Sequence, residues 1–366
     1  MRILLISPAY PPAVGGAATF SRIIASLVSQ DSRMTHFYLL TERMKGEPTH
    51  STQGNLTILR LLPNRLSRPS TTFAYHALSW AATELFFSLR LHAIVKRYNI
   101  DLVHFHTRYQ GPLFRRAIGT LQRPRIAELQ DKLTAGEQLR VLSDWLVCCG
   151  EGVQRHAIAT GYPQDKLSLI PVPIESIPPA RLLTLEQLVL DIPAAKQPYI
   201  LYVGDISSRK GVYELLAAIA DWEDRPDDLR LLIVGINRDG KAFTQVADNY
   251  AWLTVTGHLK HIQVQTLMRH AAMVVLPSKS EGLPRVMVEA LLQDCKVVAP
   301  PNIPEFDREM PEFVFPTITP DAIREKIEAV YTNPQHPNYP VEKHKPQAVA
   351  DAYMTVYEQV VQLNHL

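Results

Sequence analysis

The sequence predicts an α/β protein with two doubly wound domains, in which helices cover both faces of a sheet. A buried strand, a glycine-containing loop and a helix follow one another near the start of the chain and again from Tyr199 to Ala220. Between these repeats, residues 171–198 are rich in proline, which is typical of an inter-domain linker. With 366 residues, the chain is long enough for two hydrophobic cores.

The first half of the chain predicts alternating strands and helices. Short apolar runs predict strands, and longer amphipathic runs predict helices. The strands are expected at Arg2–Ile6, Phe37–Leu40, Leu56–Leu62, Asp101–His106, Arg125–Leu129 and Trp145–Cys149, and the helices at Ala17–Ser29, 71–98 and 150–161. The segment at 71–98 contains the charged residues Glu84 and Arg90. It is therefore predicted to be a long amphipathic helix and not a membrane span.

The second half repeats this alternation. The strands are expected at Tyr199–Val203, Leu229–Gly235, Leu253–Gly257, Met273–Leu276 and Lys296–Ala299, and the helices at Val212–Ala220, Gln263–Ala272, from Pro284 onward, Ala322–Tyr331 and Ala348–Leu363. We therefore expect a first domain at 1–172, a linker at 173–198 and a second domain at 199–347.

The charge, the cysteines and the N-terminus of the chain each argue against particular classes of protein. The net charge of +2 gives no strong field that would favour nucleic acid as a partner. The three cysteines, Cys148, Cys149 and Cys295, have neither a disulfide framework nor a metal-binding spacing, and indicate a reducing compartment. The N-terminal apolar run is too short for a signal peptide, so we expect a soluble cytoplasmic protein.

Two glutamates mark the stretch from Met273 to Pro300. Glu281 follows a strand, where open α/β sheets bind ligands, and Glu289 lies within a helix that is apolar nearly all round and should be buried. Pro284 suits the first position of that helix. The two carboxylates could converge on a polyhydroxylated ligand such as a ribose. A solvated loop glutamate and a structural helix glutamate are the alternative.

Residues Pro277-Ser278, Glu281 to Ala290 and Val297 to Ala299 resemble the Glu–seven residues–Glu signature of retaining GT-B glycosyltransferases, family 4 type (glycosyl transferases group 1). The resemblance implies the GT-B fold, with two Rossmann-like domains facing each other across a cleft. It also implies that the second domain binds a nucleoside diphosphate sugar and the first domain an acceptor. The C-terminal helix, 348–366, is then expected to pack back on the first domain.

The basic pair Arg209 and Lys210 precedes a helix N-terminus, where the helix dipole disfavours cations, and so indicates a bound anion. Two solvated basic side chains are the alternative. Gly15-Gly16 stands between a strand and a helix, which suits either a turn or a phosphate contact. The resemblance implies catalytic roles for Glu281, Lys210 and His106. It implies donor contacts for Gly15, Gly16, Arg209, Lys210, His258, Leu259, Glu281, Gly282, Leu283, Val286 and Glu289.

Three positions depart from the family pattern. Gln130 stands where the family has a histidine against the donor sugar, and Asp205 stands where it has a diphosphate-binding arginine. Pro284 replaces a glycine and removes one backbone donor near the sugar. Gln130 keeps a hydrogen-bond donor but cannot titrate, and His106 is expected to compensate.

The expected activity is transfer of a hexose-type sugar from a nucleoside diphosphate sugar to a hydroxyl of a glycan, a lipid-linked acceptor or a small molecule. No Asp-x-Asp follows a strand, so we expect no metal and no cofactor. The alternative is a degenerate sugar-nucleotide-binding subunit. The basic loop Asn64–Ser70 is expected to be solvated, with contact to an acceptor or weak contact to the inner face of a membrane as the alternatives. Arg65, Arg68, Lys96 and Arg97 are too few for stable membrane attachment on charge alone.

Overall fold

The computed structural model describes residues 1–13, 15–63, 73–130 and 132–363. The chain forms two compact units. Unit 1 contains Met1–Pro173 and Lys343–Leu366, and unit 2 contains Ile174–Glu342. Arg65 and Arg68 of the predicted basic loop lie outside the described residues.

A single eight-stranded sheet forms the centre of unit 1. Its strands are β1 (Arg2–Ile6), β2 (His36–Glu42), β3 (His50–Gln53), β4 (Leu56–Leu62), β5 (Leu102–His106), β6 (Arg125–Leu129), β7 (Trp145–Cys148) and β8 (Leu167–Leu169). Their spatial order is β3-β4-β2-β1-β5-β6-β7-β8, and only β3 runs antiparallel to its neighbour. The sequence does not predict β3, because this edge strand carries no apolar side chain.

Unit 2 contains a five-stranded parallel sheet. Its strands are β9 (Tyr199–Val203), β10 (Arg230–Val234), β11 (Leu253–Gly257), β12 (Met273–Val275) and β13 (Val297–Val298). The spatial order is β11-β10-β9-β12-β13. The chain builds one side of the sheet from β9 and then returns to its other side with β12. The strand order therefore reverses between β9 and β12, where open sheets of this kind bind ligands.

Helices connect the strands of both units. They are α1 (Gly16–Val28), α2 (Phe73–Arg97), α3 (Pro112–Gly119), α4 (Gly136–Leu142), α5 (Glu151–Ala159), α6 (Leu185–Asp191), α7 (Val212–Ala220), α8 (Lys241–Ala247), α9 (His261–His270), α10 (Arg285–Leu292), α11 (Pro304–Glu309), α12 (Pro320–Thr332) and α13 (Pro346–Leu363). None of the helices in the described ranges is long and apolar enough to span a bilayer.

The last helix, α13, belongs to the core of unit 1. Its buried face packs on the sheet beside α1, and the rings of Phe20 and Tyr353 meet edge to face at 5.9 Å. Tyr353 and Tyr357 are almost completely buried. Strands β5 and β6 are therefore covered by a segment that lies more than two hundred residues later in the chain.

The predicted linker differs from the structure. Residues 174–198 belong to unit 2 and include α6. The amide N–H of Ile177 donates to Gln265 Oε1 at 2.7 Å, and Gln293 Nε2 donates to the carbonyl of Ile177 at 3.0 Å. Both glutamines are completely buried. The proline-rich composition suggests a linker, yet these two side chains attach the segment to α9 and to the C-terminal end of α10.

Candidate active site in unit 2

The charged residues of unit 2 meet at the carboxyl ends of β9 and β12. The loop after β9 carries Arg209 and Lys210, and the loop after β12 carries Glu281. Although 71 residues separate Lys210 from Glu281, their strands are neighbours in the sheet. The two loops therefore meet where the strand order reverses.

Lys210 and Glu281 form the central ion pair of this site. Lys210 Nζ contacts Glu281 Oε1 directly, and Ser278 Oγ donates to the same oxygen at 2.6 Å. The side chains of Lys210 and Glu281 are 18% and 15% exposed, while Ser278 is fully buried. A mostly buried pair that a serine also contacts is held in one orientation, while the side chain of Lys210 stays partly accessible to solvent.

Gly211 allows the two loops to approach each other. Its φ of 71° is left-handed, and a Cβ at this position would lie 1.9 Å from the carbonyl oxygen of Pro277. Any other residue would clash with the backbone of the β12 loop. Glycine here brings Lys210, its chain neighbour, within reach of Glu281.

Arg209, like Lys210, contacts the loop that follows β12. Its guanidinium donates to the carbonyl of Ser280 at 3.2 Å, and its own carbonyl accepts from the N–H of Lys279 at 3.1 Å. Asn302 adds a bond of 2.9 Å to the carbonyl of Lys279. Two adjacent cations therefore lie just before the N-terminus of α7, whose first residue is Val212.

Glu289 lies on α10 and is 15% exposed. Burial raises the pKa of its carboxyl group, and the charges of Arg285 and His261 oppose this rise. Their nitrogens lie 3.9 Å from the Glu289 oxygens, longer than a hydrogen bond. A largely desolvated carboxylate with distant cations is suited to accept hydrogen bonds from the hydroxyls of a ligand.

Helix α10 differs from its prediction in two respects. Pro284 is the N-cap residue, and the helix begins at Arg285. Only Met287, Val288 and Ala290 are buried, whereas Val286 is half-buried, so the helix has one core face. Its apolar sequence suggests complete burial, but the outer face of this helix stays partly exposed. Gly282 and Leu283, which precede the helix, are buried.

Arg238, a residue that the sequence analysis did not identify, places a guanidinium beside Asp205, where the family pattern has an arginine. Arg238, in the loop after β10, donates from Nε to Asp205 Oδ2 at 3.1 Å. A guanidinium therefore lies beside the position where the family has an arginine. His258 and Leu259 follow β11, two strands away from β9, where His258 is exposed and Leu259 is half-buried.

Three of the predicted site residues lie in unit 1. Gly15 is the N-cap residue of α1 with a φ of 126°, and both Gly15 and Gly16 are exposed. His106, at the end of β5, is half-buried, and its Nδ1 accepts the backbone N–H of Arg108 at 3.1 Å. Because Nδ1 accepts, Nε2 is the nitrogen of a neutral His106 that carries the proton.

Gln130 is turned toward its own strand. Its Nε2 donates to Glu128 Oε1, so the amide that was expected to serve the donor sugar has a partner within unit 1. The other oxygen of Glu128 lies 3.5 Å from His104 Nε2, and His104 Nδ1 pairs with the hydroxyl of Tyr357 at 2.8 Å. His104 therefore contributes to the buried contact with α13, while His106 stays accessible.

Sequence reasoning missed Arg238, the Ser278 contact to Glu281, and His261 beside Glu289. Ser278 belongs to the motif already quoted, so its polar side chain after a strand was a usable signal. His261 and Arg238 had no local signal, because the order of strands decides that their loops lie at this edge of the sheet.

A family model described as "Glycosyl transferases group 1" matches residues 197–333. Among curated proteins, TuaC of Bacillus subtilis, named as a glycosyltransferase of teichuronic acid biosynthesis, is 36% identical over 95 residues. The alpha-D-kanosaminyltransferase of Streptomyces kanamyceticus is 30% identical over 109 residues. The aligned segments cover 26% and 28% of this chain, and only 22% and 28% of those two relatives.

Solved structures resemble the whole chain. Sucrose-phosphate synthase from Thermosynechococcus elongatus has a TM-score of 0.76 at 17% identity and covers 99% of each chain. HepE from Anabaena, solved with UDP and glucose, has a TM-score of 0.65 at 17% identity and covers 100% of each chain. At these identities the likeness concerns the fold, and the predicted fold class is confirmed. Residues 197–333 therefore match a glycosyl transferases group 1 domain, within a chain that has the GT-B fold.

Proposed function

We propose that the protein is a retaining glycosyltransferase that moves a hexose-type sugar from a nucleoside diphosphate sugar to a hydroxyl acceptor. The observation that carries this proposal is the Lys210–Glu281 pair at the strand-order reversal, with Glu289 on the following helix. These residues offer cations for a diphosphate and two carboxylates for sugar and ribose hydroxyls.

Lys210 and Arg209 would hold the diphosphate. In the transfer reaction, the bond between the anomeric carbon and a diphosphate oxygen breaks, the acceptor oxygen bonds to that carbon, and the acceptor's proton passes to the departing diphosphate. The diphosphate oxygen gains negative charge as its bond to carbon breaks. Cations fixed beside this oxygen stabilise that charge more than they stabilise the bound substrate, which lowers the barrier. A diphosphate that takes Lys210 also releases Glu281, whose carboxylate can then accept hydrogen bonds from the sugar.

Glu289 would accept the hydroxyls of the nucleotide ribose. Its carboxylate is largely desolvated, so two O–H donors would replace solvation that burial has removed. The Pro284 N–H is absent, so Gly282 and Leu283 supply the backbone groups beside the sugar. The proposed reaction uses these side chains for charge stabilisation and is metal-independent.

Isothermal titration calorimetry with UDP-glucose, GDP-glucose and ADP-glucose tests the donor site. We expect one nucleotide sugar to bind, and we expect its affinity to fall at least tenfold in Lys210→Ala. Lys326→Ala removes a half-buried lysine on α12 whose Nζ donates to the carbonyl of Glu312. It is the matched control and should bind like the unaltered protein. No binding by any nucleotide sugar would overturn the proposal.

A sugar-nucleotide-binding subunit with little transferase activity is the second candidate. It is favoured by Gln130, whose amide is engaged by Glu128, and by the acidic residue at position 205. Slow hydrolysis of the bound donor to free sugar, measured without an acceptor, distinguishes the two candidates. A transferase should release sugar slowly, whereas a binding subunit should leave the donor intact.

A further inference from the structure

A cavity of about 370 Å³ lies in unit 1 among the ends of β2 to β4 and α2. Its apolar lining comes from Leu61, Phe86, Ala93, Ile94 and Tyr98. Four basic side chains complete the lining, namely Arg43, His50, Arg90 and Arg97. All four are exposed, so the charges of the three arginines face solvent, while Ile94 is buried.

The charges of the cavity arginines are not compensated within the described part of the chain. Among the described residues, no carboxylate forms an ion pair with Arg43, Arg90 or Arg97, and Arg97 instead packs over the ring of Tyr98 at 5.6 Å. Elsewhere in unit 1, Arg60 pairs with Glu47 and Arg125 with Asp144. The cavity therefore concentrates uncompensated positive charge over an apolar lining, which matches an anion joined to an apolar chain.

Helix α2 presents an apolar stripe next to this cavity. Leu78, Leu85 and Leu89 are 72%, 52% and 66% exposed. Their spacings of seven and four residues place them on one face, at 100° per residue. On the same helical projection, Arg90 and Arg97 lie about 120° and about 100° to one side of the stripe. Exposed leucines beside a row of arginines are typical of helices that lie in the surface of a membrane.

We propose that this surface of unit 1, formed by the cavity and the leucine stripe, binds a membrane that contains anionic lipids. The stripe enters the boundary between headgroups and acyl chains, and the arginines hold acidic headgroups, one of them in the cavity. Charge alone or a short apolar face alone gives weak attachment, whereas the two together give stable attachment. The surface lies in unit 1 and uses no residue of the donor site, so the inference stands independently of the proposed function.

Sedimentation with lipid vesicles tests the inference on the full-length protein. We expect binding to vesicles of phosphatidylglycerol and phosphatidylcholine, and little binding to phosphatidylcholine alone. At about 1 kcal/mol for each arginine, Arg90→Gln/Arg97→Gln should weaken the affinity about thirtyfold. Leu85→Ser/Leu89→Ser should weaken it at least tenfold, and 0.5 M salt should weaken the unaltered protein because it screens the headgroups.

Matched controls separate the surface from general effects. Arg116→Gln/Arg140→Gln removes two exposed arginines of unit 1 elsewhere, and Leu190→Ser removes a leucine that is 84% exposed in unit 2. Both should bind vesicles normally, and every variant should keep the thermal midpoint of the unaltered protein. Equal binding by the arginine variant and its control overturns the inference. The inference is also overturned if the surface is a site for free phosphate. In that case glycerol phosphate competes fully with the vesicles, and the leucine variant binds vesicles normally.

Discussion

Both units place an ionisable pair near the carboxyl ends of their parallel strands, but the two pairs differ in exposure. In unit 2, Lys210 and Glu281 are 18% and 15% exposed, so solvent reaches both side chains. In unit 1, His104 and Glu128 are 0% and 2% exposed, because α13 covers them with Tyr353 and Tyr357. Polar residues near strand ends are therefore open to solvent only where no later element covers them.

The largest expected effect concerns the buried pair of unit 1. His104→Ala should lower the free energy of unfolding by about 3–5 kcal/mol, because it leaves a cavity and removes the partner of Glu128 and of the Tyr357 hydroxyl. Urea denaturation measures the loss. The exposed His92→Ala is the control and should change little. Equal stability of the two variants would mean that His104 does not hold α13.

The next effect concerns the approach of the two loops in unit 2. Gly211→Ala should destabilise the protein by about 3 kcal/mol and weaken donor binding, because its Cβ meets the Pro277 carbonyl and displaces Lys210. Gly240→Ala is a matched control, since Gly240 also has a left-handed φ, of 58°, but has no atom within 4 Å of an added Cβ. Thermal denaturation and donor titration compare them. Similar losses in both would attribute the effect to backbone strain alone.

The third effect is a pH dependence that arises from Glu289. Because burial raises the pKa of this carboxyl, the folded protein binds more protons than the unfolded chain between the ordinary carboxyl pKa of about 4.3 and the raised value. The free energy of unfolding should therefore fall as pH rises through this window.

Glu289→Gln removes the charge and should show a smaller fall with pH than the unaltered protein. Thermal midpoints measured from about pH 4 to pH 7.5 check this, with the exposed Glu325→Gln as the control. Donor affinity of the unaltered protein should rise over the same window, since the ionised carboxylate accepts the ribose hydroxyls. A pH-independent difference between Glu289→Gln and the unaltered protein would contradict the raised pKa.

The smallest effect concerns Asp205 and Arg238. Their side chains are 46% and 57% exposed, so Asp205→Arg should change the free energy of unfolding by less than about 1 kcal/mol. It should strengthen the binding of UDP a few fold, because it restores a cation at the family position. Calorimetry with UDP measures this, with Asp221→Arg as a control at the far end of α7. Unchanged affinity would place position 205 away from the diphosphate.

Most strands and helices were predictable from local pattern. The strands β1, β4, β6, β9 and β11 have their predicted bounds, since each is a short run that is rich in apolar and β-branched residues. Strand β3 was missed because its polar residues are held only by pairing with β4. The 174–198 segment was misjudged because two distant glutamines, Gln265 and Gln293, attach it to unit 2.

The sequence by itself determined the two α/β halves, the candidate residues Lys210, Glu281 and Glu289, and the resemblance that connects them. Local periodicity and motif spacing are sufficient for these features. Only the tertiary structure decided that Lys210 contacts Glu281, that Gln130 turns toward Glu128, and that the leucines of α2 face solvent. These outcomes depend on which strands become neighbours and which faces a distant helix covers. Both are set by packing between segments far apart in the chain.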